Sequence, residues 1–117
     1  MTPDELEKRL IDFAVNIIDV SGNLKRNYAG VHLSKQIVRS GTSPALNYGE
    51  ARGAESKKDF IHKTKIVLKE LRETHVSLRI IDKSGLVTKD KSKLDSSISE
   101  CNELISIFVA TTKTSGI

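Results

Sequence analysis

Gln36-Ile37-Val38-Arg39-Ser40-Gly41-Thr42-Ser43-Pro44-Ala45-Leu46-Asn47-Tyr48-Gly49-Glu50-Ala51-Arg52 has a helical pattern, with a proline in its middle and small residues where large apolar ones would be expected. Gly41, Ala45, Gly49 and Gly53 recur every fourth residue, which on a 3.6-residue helix sets them along one slowly drifting stripe. Such a stripe allows close approach of another backbone. Glycine inside a helix costs about 1 kcal/mol relative to alanine, so several together need a packing or functional reason. Pro44 lacks an N–H and its ring meets the carbonyl four residues back, which predicts a second helix kinked near Pro44. The hydroxyls of Ser40, Thr42 or Ser43 are then available to the freed backbone groups. Two shorter helices are the alternative.

The flanking sequence is more regular. Thr2-Pro3-Asp4-Glu5 opens a first helix with a threonine N-cap, a proline at the first helical position and a glutamate at the capping-box position. Leu6, Leu10, Phe13, Ile17, Val20 and Leu24 then step 4-3-4-3-4, predicting a helix to about Leu24. Gly22-Asn23 and Lys25-Arg26-Asn27 mark a turn before the second helix, Tyr28 to about Arg52. Ser56, with Asp59 three residues on, caps a third helix. Its seam is Phe60, Thr64, Val67, Leu71, Thr74, Leu78 and Ile81, widened by Ile61, Leu68 and His75 and ended by Ser84-Gly85. A fourth helix begins between Thr88 and Ser92 with the seam Leu94, Ile98, Cys101, Ile105, Phe108 and Thr112, and Thr111 to Ile117 is expected to fray. Four helical patterns, three short connections and no strand pattern predict an all-α protein. The expected fold is an antiparallel up-down-up-down four-helix bundle, a single domain over residues 1–117.

A chain of 117 residues buries about 65% of its unfolded surface, enough for a core without metal or disulfide. The single cysteine, Cys101, excludes an internal disulfide and a Cys-based zinc cluster. The N-terminus carries acid where a secretory signal carries base, and no apolar run approaches the ~20 residues of a membrane span. A cytoplasmic protein without membrane contact is therefore expected. The net charge of +4 is regional. Residues 1–24 hold Lys8 and Arg9 against Asp4, Glu5, Glu7, Asp12 and Asp19, a net −3. Residues 25–58 hold seven bases against Glu50 and Glu55, a net +5. Such asymmetry suits an acidic partner or self-association by complementary charge.

Arg39-Ser40-Gly41-Thr42-Ser43, with Asn47 and Glu50-Ala51, resembles the hallmark of a bacterial four-helix-bundle family whose founding members are encoded in intervening sequences of 23S ribosomal RNA genes. Asp59-Phe60-Ile61-His62-Lys63 and Lys69-Glu70-Leu71-Arg72-Glu73-Thr74 resemble its next block. The likeness is detailed from Ile37 to Val87 and follows by pattern at the ends. It implies a small bundle that assembles into a ring-like homopentamer, in most members without an assigned biochemical role. A related branch, the accessory variability proteins of diversity-generating retroelements, consists of basic pentamers that bind nucleic acid and a reverse transcriptase. The charge of this chain is milder than that role favours.

Candidates for chemistry are few. His32 lies in a polar stretch, His62 points outward beside Lys63, and His75 borders an apolar face. Cys101 lies on a core seam, where a thiol is usually inert. Glu70 and Glu73 lack the histidine three residues on that di-iron bundles use, so neither metal nor other cofactor is expected. Ser40-Gly41-Thr42-Ser43 lacks the order and the preceding strand of a phosphate-binding loop. Asn47 and Glu50 share a face, where either could bond to a partner helix; a buried Glu50 would need Arg39 or Arg52 as donor. An enzyme with a site near them is the rival reading, and it demands a concave pocket and a perturbed carboxylate.

The outer side of the third helix carries Lys58, Lys65, Lys69, Arg72, Arg79 and Lys83. They form either a solvated face balanced by Glu73 and Asp82, or a surface contacting the phosphates of RNA or DNA, salt-sensitive and without sequence preference. Ile11, Val15, Ile18, Ile66 and Ile80 are outward apolar residues on two helices, candidates for a self-association patch. The expectation is a non-enzymatic, self-associating accessory protein with nucleic acid as a candidate partner. A scaffold for a protein partner is the alternative.

Overall fold

The computed structural model describes residues 1–116, with side chains to Lys113. Four helices follow in order: α1 Pro3–Ser21, α2 Tyr28–Arg52, α3 Lys57–Lys83 and α4 Ser92–Gly116. Thr2 and Glu5 close the expected capping box, and Asn27 and Ser56 cap α2 and α3 by accepting from Gly30 N and Asp59 N. At the end of α3, Gly85 takes φ 61°, and Leu86 N and Gly85 N donate back to Ile81 O and Asp82 O. This is the paired closure that a left-handed residue permits.

α1 stops at Ser21, three residues before the expected end, because Asn23 to Lys25 serve a different contact. Lys25 N donates to Leu86 O at 2.8 Å and Thr88 N to Asn23 O at 2.8 Å, with Leu24 and Val87 paired between them. The α1–α2 connection is thereby clasped to the α3–α4 connection, and Leu24 stays buried outside its helix.

Each helix lies beside its sequence neighbours, α1 also closes against α4, and the backbones of the diagonal pairs stay apart. The directions follow from cross-links: Arg52 near the end of α2 pairs with Asp4 and Glu7 at the start of α1, and Glu50 pairs with Lys63 while Ser40 bonds Thr74. Arg9 reaches Glu100 while Asp19 reaches Lys93. Every adjacent pair so linked is antiparallel, as an up-down-up-down bundle requires. Phe13, Ile17, Ile37, Leu71, Leu78, Leu104 and Phe108 are essentially fully buried, and Tyr48 meets Phe108 edge-on across the core at 5.5 Å.

The seams expected for α1 and α3 are the buried ones, with Phe60 half-buried. Two others differ. On α2 the inner face is Ile37, Ser40, Gly41, Pro44, Tyr48 and Ala51, whereas Ala45 is half-buried and Gly49 and Gly53 are exposed. Only Gly41 of the anticipated stripe is a close-approach site: a Cβ there would lie 2.7 Å from Ile17 Cγ2. α2 also runs through Pro44 as one continuous helix. On α4 the most buried positions are Leu94, Ser97, Cys101, Leu104, Phe108 and Thr112, with Ile98 and Ile105 half-buried beside them. α4 continues to Gly116, so of the terminal stretch expected to fray only Ile117 lies outside the described residues.

Candidate functional site

α3 buries one apolar side, Thr64, Val67, Leu71, Thr74, Leu78 and Ile81, which leaves most of its charge on the other. Lys58, His62, Lys65, Lys69, Arg72, Val76, Arg79 and Lys83 step 4-3-4-3-4-3-4 and are all exposed, one straight lane along the outside of the bundle. At 1.5 Å per residue it is about 38 Å long. Among the described residues none of its six bases has an ion-pair partner, whereas Lys8, Arg9, Arg39, Arg52, Lys63, Lys91 and Lys93 all do. The carboxylates expected to balance the lane are engaged elsewhere: Glu73 pairs with Arg39 of α2, and Asp82 with Lys91 at 2.7 Å. The lane is a row of free positive charge beside a surface whose acids are largely committed.

The small-residue stretch of α2 has a different occupation. Arg39 bridges Glu70 and Glu73 of α3. Ser40 and Thr74 meet at 2.8 Å in the buried α2–α3 seam, and Thr74 Oγ1 also lies 2.8 Å from Glu70 O. With one proton per hydroxyl, the satisfied arrangement is Ser40 donating to Thr74 and Thr74 to the carbonyl. Thr42 Oγ1 donates to Val38 O at 2.6 Å. Asn47 does not reach a partner helix; its Nδ2 donates to the Oγ and carbonyl of Ser43, one turn back. Glu50 is not buried and takes neither Arg39 nor Arg52; it is largely exposed and accepts from Lys63 Nζ at 2.7 Å. Arg39 to Glu50 is thus a helix-packing device, with Ser40–Thr74 at its centre.

The pocket demanded by an enzyme near Asn47 and Glu50 is displaced from them. A cleft of 660 Å³ lies at the α2–α3 turn, walled by Tyr48, Ala51, Arg52, Phe60 and Pro3, and neither Asn47 nor Glu50 lines it. Tyr48 is held above its ordinary phenol value by burial. Cys101 is fully buried with its Sγ 3.2 Å from Leu71 O, and burial pushes the thiol up to about 12, away from the reactive thiolate. His75 is half-buried at the rim, lowered by burial and by Arg79. Among the described residues, no cluster of three His, Cys, Asp or Glu could hold a metal ion, and no helix is long and apolar enough to cross a membrane.

The outward apolar residues do not form one patch. Ile11, Val15 and Ile18 are each about half exposed and form a lane on α1. Ile80 lies on the diagonal helix α3, next to exposed Val76, and Ile66 is half-buried. The structure also presents an aromatic surface that the sequence patterns did not single out: Tyr28, 90% exposed, stands parallel to His32 one turn on. Its signal was the four-residue spacing of two rings on a stretch holding Arg26 and Lys35.

The family profile described as 23S rRNA-intervening sequence protein matches residues 5–110. No curated protein matches the chain. Among solved structures, a protein with unknown function from the S23 ribosomal protein family of Bacteroides thetaiotaomicron VPI-5482 is 30% identical and superposes with a TM-score of 0.83, covering 97% of this chain and 99% of that one. A profile spanning most of the four helices, and a relative of the same length and architecture, have one consequence: the chain belongs to the 23S rRNA-intervening sequence protein family.

Proposed function

We propose that this protein is a non-enzymatic, self-associating bundle that holds nucleic acid by its phosphates along the outer lane of α3. The observation that carries the reading is the lane itself: six exposed cations in helical register, none with an acidic partner among the described residues, on a molecule that pairs many of its other bases. Phosphates recruit such a row through counterion release, which gives affinity without sequence preference. About 38 Å of lane is comparable to one turn of duplex. Self-association through Ile11, Val15 and Ile18 of α1 would place several lanes in one particle and add weak contacts into useful avidity. Asn47 bonds back to Ser43 and Glu50 pairs with Lys63, so both residues of the rival site already serve contacts within and between the helices.

The test is salt-dependent binding of labelled duplex DNA and RNA. Wild-type protein is expected to bind at low salt with log K falling linearly in log salt. Lys65→Ala, Lys69→Ala and Arg72→Ala combined should flatten that slope by nearly one for each phosphate no longer neutralised. All three side chains are exposed, so the fold is spared. Undetectable binding at low salt would end the nucleic-acid reading.

A further inference from the structure

Tyr28 opens α2 at the far end of the bundle from the large cleft, and the local backbone holds it firmly. Asn27 Oδ1 accepts from Gly30 N at 2.8 Å, which sets where the helix begins. Gly30 lies so close to the preceding loop that a Cβ would sit 1.7 Å from Lys25 O, so the Lys25–Arg26 segment folds directly against the first turn. The Tyr28 ring is nevertheless 90% exposed and covers no core residue. It stands parallel to the His32 ring, 2° between the planes and 6.4 Å between centroids. With Arg26, Asn27, Val31 and Lys35 the two rings line an open cleft of 390 Å³. Neither Arg26 nor Lys35 has an ion-pair partner among the described residues.

Two parallel flat rings with a free guanidinium and a free ammonium at their edge match a flat ring attached to phosphate. Bases inside a duplex are stacked on one another and cannot present a face; unpaired bases can, and aromatic side chains bind them by stacking. We propose that the first turn of α2 is a base-stacking platform for single-stranded nucleic acid, with an unpaired base against Tyr28 and His32 and flanking phosphates on Arg26 and Lys35. This deepens the proposed function and rests on it. The antiparallel α2–α3 register set by Ser40–Thr74 brings the platform to the same end of the bundle as Arg79 and Lys83, so a strand leaving the α3 lane has cations to follow towards it.

The chain has no tryptophan, so Tyr28→Trp installs a single reporter on the platform. Its fluorescence should be quenched by oligouridylate and not by a blunt duplex. In polarisation assays with the same two probes at low salt, Tyr28→Ala should weaken the single strand about tenfold and leave the duplex unchanged, while Tyr28→Phe retains binding. The Lys65, Lys69 and Arg72 triple-alanine variant should weaken both. Equal effects of Tyr28→Ala on both probes, or an unquenched Tyr28→Trp that still binds, would overturn the platform and leave the α3 reading standing. Loss of all binding in the wild type would overturn both. Circular dichroism of each variant separates a local effect from unfolding.

Discussion

Gly30 and Gly49 sit on one helix under opposite constraints. A Cβ at Gly30 would overlap the carbonyl of Lys25, a backbone atom that cannot rotate away, whereas at Gly49 it would meet nothing within 4 Å. Gly30→Ala is therefore expected to cost about 2–4 kcal/mol. Gly49→Ala should stabilise α2 by about 0.5–1 kcal/mol, the ordinary gain on replacing a helical glycine. Gly41→Ala falls between them, at a cost of about 1–3 kcal/mol: its obstacle is a side chain and not backbone, but Cγ2 and Cγ1 of the fully buried Ile17 lie 2.7 and 2.9 Å from the new Cβ and have to be displaced within the core. Urea denaturation of the three variants checks the order, and a destabilised Gly49→Ala would contradict it. His75 adds a pH dependence. Burial and Arg79 lower its folded value below the ordinary 6.5, so the folded protein takes up the proton less readily than the unfolded chain. Its effect is absent well above pH 6.5; as the pH falls through that value, the unfolded state gains protons first and stability declines. His75→Leu should remove part of that acid-side decline, read as a smaller drop in the unfolding midpoint between about pH 8 and about pH 5 than in the wild type.

At the level of the helix, legibility in the sequence tracked how apolar the buried face is. α1 and α3 bury unbroken 4-3 runs of large side chains, so period and capping were enough to read both. α2 buries a serine, a glycine and a proline beside Tyr48 and Ala51, and a strict four-residue step drifts off this face after Gly41 because the helix turns every 3.6 residues. On α4 the large Ile98 and Ile105 mark the period in the sequence, while the chain buries Ser97 and Leu104 at those turns. The outer lane of α3 was legible for the same reason as its seam; the pairing of Glu73 and Asp82 with other helices was not, since long-range partners leave no local spacing. Ser97 carries the consequence: it is 1% exposed and its hydroxyl is the buried side-chain polar atom without a partner among the described residues. Ser97→Ala should stabilise by about 1 kcal/mol, removing an unsatisfied group and adding helix propensity. Ser40→Ala should cost about 1 kcal/mol by removing the buried Ser40–Thr74 hydrogen bond, while Thr74 keeps its bond to Glu70 O. Thermal unfolding of the two variants should move in opposite directions; a destabilised Ser97→Ala would mean that its hydroxyl has a partner, such as a buried water.

For the whole molecule the deciding fact is that α1 and α3 are diagonal, so the apolar lane of α1 and the basic lane of α3 face away from each other. The two proposed activities, on opposite faces, can be tested separately by mutation. Val15 is 51% exposed at the centre of the α1 lane, so Val15→Glu burdens an interface with a charge and spares the core. Light scattering should show that this variant falls to a smaller species than wild type, with weaker nucleic-acid binding but an unchanged salt slope per copy, because avidity disappears while the α3 cations remain. The Lys65, Lys69 and Arg72 triple-alanine variant should show the converse, keeping its assembly while its binding fails. There is one physically distinct alternative. The acidic N-terminal region, whose Asp4 and Glu7 pair with Arg52, Asp12 with Lys8 and Asp19 with Lys93 within the chain, would exchange those partners for the basic lane of a neighbouring copy, a head-to-tail contact of the kind that closes rings. In that case the triple variant would dissociate the assembly, added salt would do the same to the wild type, and the lane would be an interface between copies instead of a seat for phosphate. A monomeric wild type at micromolar concentration would exclude both arrangements and leave the α1 lane as ordinary exposed surface.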